Sequence, residues 1–187
     1  MLYKYSQRLI LISALVLGVS TVHAAPQADL VAALAQSKLT LADGIRQITK
    51  TGGLAISAKF EFDDNGKLSL SVYSAEKGLS VAPEENILQE LAGDPEQSPW
   101  KPDIEVFKDV PHVARSSEQL TVLSLARLTL LDVINKVQEK RLGTVFSITP
   151  EIKQHKPVVV VLVAKTGKVT ELTYNLLDGA LIATRRL

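Results

Sequence analysis

The sequence predicts an α+β protein with two repeated units, each a helix packed on an antiparallel β-sheet. The phrase LTLADGIRQI at Leu39–Ile48 recurs as LTLLDVINKV at Leu128–Val137. Each phrase carries the start signals of a helix, and each is followed by the alternation of apolar and polar residues that is typical of strands. With 46% hydrophobic and 22% charged residues, the 187-residue chain has the composition of a protein that folds around a core.

The first 24 residues are predicted to be a secretory signal segment rather than part of the fold. Lys4 and Arg8 precede an apolar run, Leu9–Val19, and the small residues Val22 and Ala24 follow at the positions that a signal peptidase recognises. We therefore place cleavage after Ala24. The alternative, a membrane anchor, is disfavoured because the run is about half of the roughly 20 residues needed to span a bilayer. No other segment of the sequence has the length and apolar character of a membrane span.

Export predicts a site of action outside the cytoplasm, with the periplasm favoured and secretion as the alternative. The chain has no cysteine, so we expect its stability to come from packing rather than from disulfides, and we expect no lipid anchor on a cysteine. After cleavage, 19 basic and 20 acidic side chains remain. This balance lacks the basic excess that nucleic-acid binding needs, so no nucleic-acid partner is expected.

The two similar phrases are both predicted to start helices. In each, a threonine (Thr40 or Thr129) stands three residues before an aspartate (Asp43 or Asp132), which is the spacing of a capping box. Apolar residues then recur at helical spacing and predict one buried face per helix. These residues are Leu41, Ile45 and Ile48 in the first phrase, and Leu130, Ile134 and Val137 in the second.

The first unit, residues 25–78, continues from its helix into a predicted β-hairpin. Apolar and polar residues alternate over Ile56–Phe62 and again over Leu68–Val72. Asp63–Gly66 lies between these strands and contains Asn-Gly, a pair typical of hairpin turns.

The connecting segment, residues 79–127, is predicted to complete the first unit only in part. A short helix is expected at Glu84–Leu91, followed by irregular structure where prolines and glycines cluster between positions 93 and 102. Ile104–Val110 is expected to add a strand to the first sheet. Ser116–Leu125 is compatible with either a helix or a strand, because Ser116 and Gln119 resemble a capping box while the following residues suit a strand.

The second unit, residues 128–187, is predicted to follow its helix with an antiparallel meander. The strand Val158–Val163 is so apolar that we expect it to be central and covered on both faces. The other predicted elements are the strand Val145–Ile152, the turn Lys153–Pro157, the strand Lys168–Leu176 and the short final strand Ala180–Ala183.

The first phrase, together with its strand, Asp-Asn-Gly turn and strand, resembles the PepSY domain. The second phrase, through the terminal turn at Leu176–Leu181, resembles a second copy. The two copies cover most of the chain after cleavage, apart from residues 79–127. The PepSY family is similar in part to the propeptides of thermolysin-like secreted metallopeptidases. The resemblance implies a helix on an antiparallel sheet and a role in restraining or protecting against peptidases, without an active site of its own.

The chain departs from the propeptide arrangement because no peptidase domain follows, and neither His112 nor His155 lies in a His-Glu-x-x-His motif. Any inhibition would therefore act on a separate protein. The expected partners are proteins or peptides, and a peptidase is one candidate among them.

No catalytic residue, metal ligand or cofactor site is predicted. His112 and His155 each lack a second histidine or cysteine at metal-ligand spacing, and His112 with Ser116 lacks the strand-turn-helix motif of serine hydrolases. Residues 61–72 resemble the opening of a calcium loop, but Val72 stands where the bidentate glutamate should be. A hairpin turn explains these residues better.

Trp100 is the single candidate for partner contact. It is the only tryptophan and is flanked by Pro99 and by Lys101-Pro102. The favoured interpretation is a plug that covers the end of a sheet, and the alternative is an exposed anchor for a partner.

The sequence as a whole predicts a non-enzymatic protein that binds protein or peptide partners through a sheet edge or the Trp100 loop. The alternative is a structural or sensory accessory of the cell envelope that has no connection with peptidases.

Overall fold

The computed structural model of this protein describes residues 24–187, so residues 1–23 of the predicted signal segment lie outside the described residues. The described part of the chain contains helices and one antiparallel sheet, which confirms the α+β prediction. Its α-helices are α1 (Ala24–Ala33), α2 (Leu41–Lys50), α3 (Val110–Ser124) and α4 (Leu130–Glu139). Its strands are β1 (Leu54–Phe62), β2 (Leu68–Ala75), β3 (Leu88–Gly93), β4 (Asp103–Val106), β5 (Thr144–Lys153), β6 (Lys156–Lys165), β7 (Lys168–Asn175) and β8 (Leu181–Arg186). None of the helices in this range combines the length and the apolar character of a membrane span.

Helices α2 and α4 begin at the two predicted capping boxes. The Asp43 backbone N–H donates to the Thr40 hydroxyl at 3.2 Å, while the Asp43 carboxylate accepts from the Thr40 N–H at 2.8 Å. Thr129 and Asp132 form the same pair of bonds at the same distances. Each box satisfies backbone N–H groups that the first turn of a helix leaves free. Both predicted helix starts are confirmed.

The eight strands form one continuous sheet in the order β4-β3-β2-β1-β5-β6-β7-β8, and every neighbouring pair is antiparallel. The two halves meet between β1 and β5, where Ala58 pairs with Ile148 and Lys59 pairs with Ser147. The sequence left open whether the halves form separate sheets or one, and they form one.

One face of the sheet, here called the α2/α4 face, is covered by α2 and α4. Gly44 of α2 lies against Leu70 and Val72 of β2, and α4 lies beside α2. Leu70, Val72 and Ile148 are fully buried. Because successive side chains of a strand point to opposite faces, Ser57, Lys59 and Tyr73 belong to the other face.

Helix α3 covers part of this other face, here called the α3 face. The Ser57 hydroxyl donates to the Gln119 side-chain oxygen at 3.0 Å, and both residues are buried. Phe107, just before α3, packs against the ring of Tyr73 with centroids 5.7 Å apart. The two layers of helices therefore enclose the middle of the sheet and leave β4 and β8 at its edges.

The first half has the predicted hairpin, but the strand predicted at Ile104–Val110 ends at Val106 because Val110 already begins α3, and one predicted helix is wrong. Phe62 pairs with Leu68 across the predicted turn, and β4 begins at Asp103. A helix was expected at Glu84–Leu91, whereas the chain forms a 3₁₀ turn at Pro83–Glu85 and then strand β3. The pairing of β3 with the free edge of β2 outweighs the local helix signal, because the pairing satisfies the backbone N–H and carbonyl groups of both strands.

The remaining ambiguities are resolved by packing. Ser116–Leu125 is helical up to Ser124, with Ser116, Leu120 and Leu123 buried. Strand β6 lies between β5 and β7 as expected. Its residues on the α2/α4 face are fully buried, whereas Val160 and Leu162 on the α3 face are partly exposed. The prediction of a strand covered on both faces therefore holds fully for one face only.

Each half contains a capped helix followed by four antiparallel strands, and α3 lies between the halves along the chain. Strands β3 and β4, which lie in the predicted connecting segment 79–127, occupy the places that β7 and β8 occupy in the second half. The descent of both halves from one repeated unit, with boundaries at 25–78 and 128–187, stays a prediction from the sequence.

Candidate functional site

The two edge strands of the sheet expose backbone groups that no strand of the described chain pairs. All four residues of β4 and all six residues of β8 are exposed. Strand β4 is short and carries Asp103 and Glu105, and Pro102 precedes it. Short length, charge and proline are features that protect sheet edges from pairing. Strand β8 is longer and contains no proline, so it is the more accessible edge.

The hydrogen bonds of β8 determine which of its backbone groups are free. The Leu187 N–H donates to the Val169 carbonyl at 3.1 Å, so Leu187 faces β7. In an antiparallel pair, alternate residues direct both backbone groups to the neighbouring strand, and the residues between them direct theirs away. Arg185 and Ala183 therefore face β7, whereas Arg186 and Thr184 present free N–H and carbonyl groups at the edge.

The side chains of β8 combine apolar and basic residues. Leu181 and Ile182 are 39% and 51% exposed at one end of the strand, and Arg185 and Arg186 lie at the other. The Arg185 guanidinium donates to Glu171 of β7 at 2.8 Å. An extended segment with apolar residues at one end and acidic residues at the other would complement this edge.

A polar cluster occupies the α3 face where the two halves meet. Lys59 forms an ion pair with Glu61, and Glu61 accepts a hydrogen bond from the Ser71 hydroxyl at 2.8 Å. The Lys59 ammonium lies 5.4 Å from the centre of the Tyr73 ring, a cation–π contact. These residues stabilise one another, which leaves none of them free as an isolated charge.

The surroundings shift the pKa values of two members of this cluster. Partial burial lowers the pKa of Lys59, but the hydrogen bond to Glu61 and the attraction of Tyr73 and Glu61 outweigh burial and raise the pKa above its usual value. Burial raises the pKa of the Tyr73 hydroxyl, with Lys59 opposing and Glu90 adding to the rise. At neutral pH, Lys59 is therefore an ammonium and Tyr73 is a neutral phenol.

A pocket of about 280 Å³ lies beside this cluster, between the sheet and α3. Its lining contains two cations, Lys59 and Arg115, and two carboxylates, Glu118 and Glu151. This arrangement suits polar contact with a ligand or partner. Its lining residues are Ser57, Ala58, Lys59, Tyr73, Arg115, Glu118, Gln119, Thr149, Pro150 and Glu151.

Trp100, the predicted candidate for partner contact, is buried with 5% of its surface exposed. Its ring lies against Gly93, where an added Cβ would stand 3.1 Å from the indole nitrogen. The Trp100 carbonyl accepts a hydrogen bond from the Gln47 side chain of α2 at 3.5 Å. This position corresponds to the plug interpretation and leaves too little exposed surface for a partner anchor.

The two histidines lie in different elements of the fold. His112 stacks on Phe107 and contacts the Asp109 carboxylate at 2.7 Å at the start of α3, and Ser116 is buried in the core. His155 lies in the turn between β5 and β6 with φ 61°. Over residues 24–187, no three side chains among histidine, cysteine, aspartate and glutamate come together as metal ligands.

The resemblance to a calcium loop is explained by the hairpin. The Asp63 carboxylate accepts the N–H groups of Asn65 and Lys67 at 2.9 and 2.8 Å, and these bonds hold the pKa of Asp63 below its usual value. The carboxylate therefore closes the turn.

Sequence reasoning missed the extent of the β8 edge and the polar cluster. It placed the last strand at Ala180–Ala183, because apolar residues defined it, although the strand continues through Arg186. The alternation of Lys59 and Glu61 on a predicted strand was the signal for the cluster, since residues two apart lie on one face. Their contact with Tyr73 depends on the pairing of β1 with β2.

The chain matches no protein-family model and no curated protein. Among solved structures, a chain described as a "putative lipoprotein" from Clostridium difficile 630 is similar with a TM-score of 0.43 and 11% sequence identity. The alignment covers 81% of this chain and 95% of that chain. A likeness at this level establishes neither a family nor a function.

Proposed function

We propose that this protein is an exported, non-enzymatic binding protein that holds an extended segment of a protein or peptide partner along β8. The observation that carries the proposal is the free backbone edge at Thr184 and Arg186, beside exposed apolar side chains at Leu181 and Ile182. A partner strand added there would form main-chain hydrogen bonds, while alternate side chains would supply specificity.

Export is supported by the predicted signal segment. A peptidase is the partner class that the resemblance to the PepSY family implies. A peptidase or its substrate segment bound in extended form at β8 would be restrained without any chemistry by this chain. A structural or sensory accessory role is the alternative, in which the same edge holds a partner that is not a peptidase.

The test is affinity capture from envelope and culture-supernatant fractions, with residues 25–187 as bait and mass spectrometry as the readout. This range contains all eight strands and the core. Thr184→Pro removes an N–H that points away from β7, so it should abolish edge pairing while it preserves the β7 ladder. Thr184→Val is the matched control, because valine keeps the shape and the N–H.

We expect a partner that the normal bait and Thr184→Val enrich and that Thr184→Pro loses. If that partner is a peptidase, inhibition kinetics with the same variants follow. If it is another envelope protein, binding at β8 stands and the accessory role replaces peptidase restraint. The proposal is overturned if the Thr184→Pro bait captures the same proteins as the unmodified bait.

A further inference from the structure

We infer that β8 of one molecule pairs with β4 of a second copy of this chain, so that the antiparallel sheet continues from one molecule into the next. The inference does not depend on the identity of any other partner. It rests on the strand directions, the charges and the registers of the two edges.

Strand direction permits this pairing without turning the second copy over. The sheet contains eight strands, and each runs antiparallel to its neighbour. Strands β4 and β8 therefore run in opposite directions. A copy shifted sideways along the sheet places its β4 antiparallel to the first copy's β8, with the α3 faces on the same side.

The two edges have opposite charge. Strand β4 carries Asp103 and Glu105 and no basic residue, and strand β8 carries Arg185 and Arg186 and no acidic residue. Lys101 and Lys108 lie two positions outside the ends of β4. Two β4 edges or two β8 edges would repel each other, whereas a β4 edge and a β8 edge attract.

The backbone of β4 presents its free groups in the alternation that β8 requires. The Phe107 N–H donates to the Leu88 carbonyl at 2.9 Å, so Phe107 faces β3. By the antiparallel alternation, Glu105 also faces β3, and Ile104 and Val106 direct their N–H and carbonyl groups outward. These outward residues are the ones that can bond to a second strand.

When the outward residues of β4 are aligned with the outward residues of β8, an acidic side chain lies opposite Arg185. When Val106 lies opposite Thr184 and Ile104 lies opposite Arg186, Glu105 falls opposite Arg185. When Ile104 lies opposite Thr184 instead, Asp103 falls opposite Arg185. Either register therefore forms one cross-strand ion pair.

The charged side chains of these pairs also lie on the same face. Glu105 lies opposite Glu90 of β3, and Glu90 lies opposite Tyr73 of β2, so all three side chains are on the α3 face. Arg185 lies opposite Glu171 of β7, which is followed across the sheet by Leu162 of β6 and Ser147 of β5. Ser147 pairs with Lys59, which also belongs to the α3 face.

Arg185 has room for a second carboxylate. Its side chain is 67% exposed although it already donates to Glu171, whose side chain is 17% exposed. A guanidinium has five N–H donors in a planar fork, so it can bridge Glu171 and an acid of the second copy. Ile104, which is 62% exposed, would be covered in the same contact.

The contact joins two different edges and is therefore heterologous, so it builds rings or open chains of copies rather than a closed two-fold dimer. It involves one short strand from each copy and is expected to be weak. Exposed ion pairs are screened by salt, so association should weaken as ionic strength rises. A partner that binds β8 competes with the second copy.

The test is sedimentation velocity of purified residues 25–187 over a range of concentrations at low and high salt. We expect the weight-average sedimentation coefficient to rise with concentration at low salt and to fall back when salt is added. The acidic-edge variant carries Asp103→Lys and Glu105→Lys, and the basic-edge variant carries Arg185→Glu and Arg186→Glu. Each variant alone should lose association by about tenfold or more.

Mixing the two variants gives the decisive readout. A basic β4 then meets an acidic β8, and the remaining natural edges also complement each other, so the mixture should associate again although neither variant does alone. The quadruple variant, with both edges reversed, should also associate. Lys67→Glu with Lys140→Glu makes the same charge change as the basic-edge variant but away from both edges, and it should behave as the unmodified protein.

Thermal unfolding of each variant shows whether the fold is retained, because Arg185→Glu places a carboxylate beside Glu171. Thr184→Pro and Ile104→Pro provide a second route that leaves the charges unchanged, and each should abolish association. A sedimentation coefficient independent of concentration, or a mixture that stays monomeric, overturns the inference. Capture of a partner by the acidic-edge variant reports on the proposed function separately, since its β8 is unchanged.

Discussion

The two halves of the sheet begin alike and end differently. Helices α2 and α4 start with the same capping box, and each is followed by four antiparallel strands. The first half ends in a short acidic edge, β4, and the second ends in a longer basic edge, β8. The shared features fix the fold, and the differing edges are where binding is proposed.

A second difference lies inside the core. Gly44 of α2 and Val133 of α4 occupy the same position in their phrases, and both are buried. A Cβ at Gly44 would stand 2.9 Å from Leu70 and 3.0 Å from Val72, so α2 approaches its sheet more closely than a larger residue allows. The two similar sequence phrases therefore form helices that can pack at different distances from the sheet.

The largest effect is expected for Val133→Gly, which gives α4 the residue of α2. Val133 is fully buried, so the change creates a cavity and places glycine in a helix interior. We expect a loss of about 3 kcal/mol in the free energy of unfolding, measured by urea titration. A loss no greater than that of an exposed substitution would show that α4 moves inward to close the cavity.

The next largest effect is a difference in stability between two proline substitutions in β8, one at a residue whose N–H faces β7 and one at a residue whose N–H faces outward. Ala183→Pro removes an N–H that, by the antiparallel alternation, faces β7 at the buried residue Thr173. We expect a loss of about 2 kcal/mol for Ala183→Pro and less than about 0.5 kcal/mol for Thr184→Pro. Equal losses in chemical denaturation would contradict the assigned alternation and, with it, the proposed free edge.

The reverse exchange in the core, Gly44→Val, is expected to destabilise the protein by about 1 to 2 kcal/mol. The added side chain would displace Leu70 and Val72, which are fully buried and cannot rotate into solvent. Gly44→Ala, which adds the Cβ alone, is the matched control and should cost less. Thermal unfolding of the pair measures the closeness of α2 to β2.

The smallest effects are expected for the caps, where the halves agree. Thr40→Ala and Thr129→Ala should each lower the free energy of unfolding by about 1 kcal/mol, because each removes one side-chain cap. Clearly unequal losses in urea titration would show that one helix depends more on packing than the other.

The caps also predict a dependence on pH. Backbone and side-chain hydrogen bonds from Thr129 hold the pKa of Asp132 below its ordinary value of 3.8. A lowered pKa in the folded state contributes stability above the ordinary value, and that contribution is lost as pH falls through the lowered value. Asp132→Asn should therefore show a flatter fall in stability at acid pH, measured by unfolding at a series of pH values.

The sequence predicted those parts of the fold that depend on neighbours along the chain. Capping boxes, the Asp63 turn and the alternation of strands β1, β2 and β5 involve residues only a few positions apart. It failed at β3, where the helix signal of Glu84–Leu91 was outweighed by pairing with β2, which is distant until the chain folds. It left α3 undecided for the same reason.

The candidate site was predicted only as a class of surface. A sheet edge was named as a binding surface, but its position could not be assigned before the strand order was known. Trp100 was named because it is the only tryptophan and lies between Pro99 and Lys101-Pro102, and its burial depends on the space beside Gly93. The cluster of Lys59 and Tyr73 required the register of β1 with β2.

The sequence by itself determined the helix starts, the hairpin turn and the strand periodicity. Each of these follows from local hydrogen bonding, from side-chain alternation or from residue identity. The tertiary structure alone decided that the halves share one sheet, that α3 covers the other face and that β4 and β8 are its edges. Strand order is a choice among distant partners, and only burial and backbone pairing in the folded chain select it.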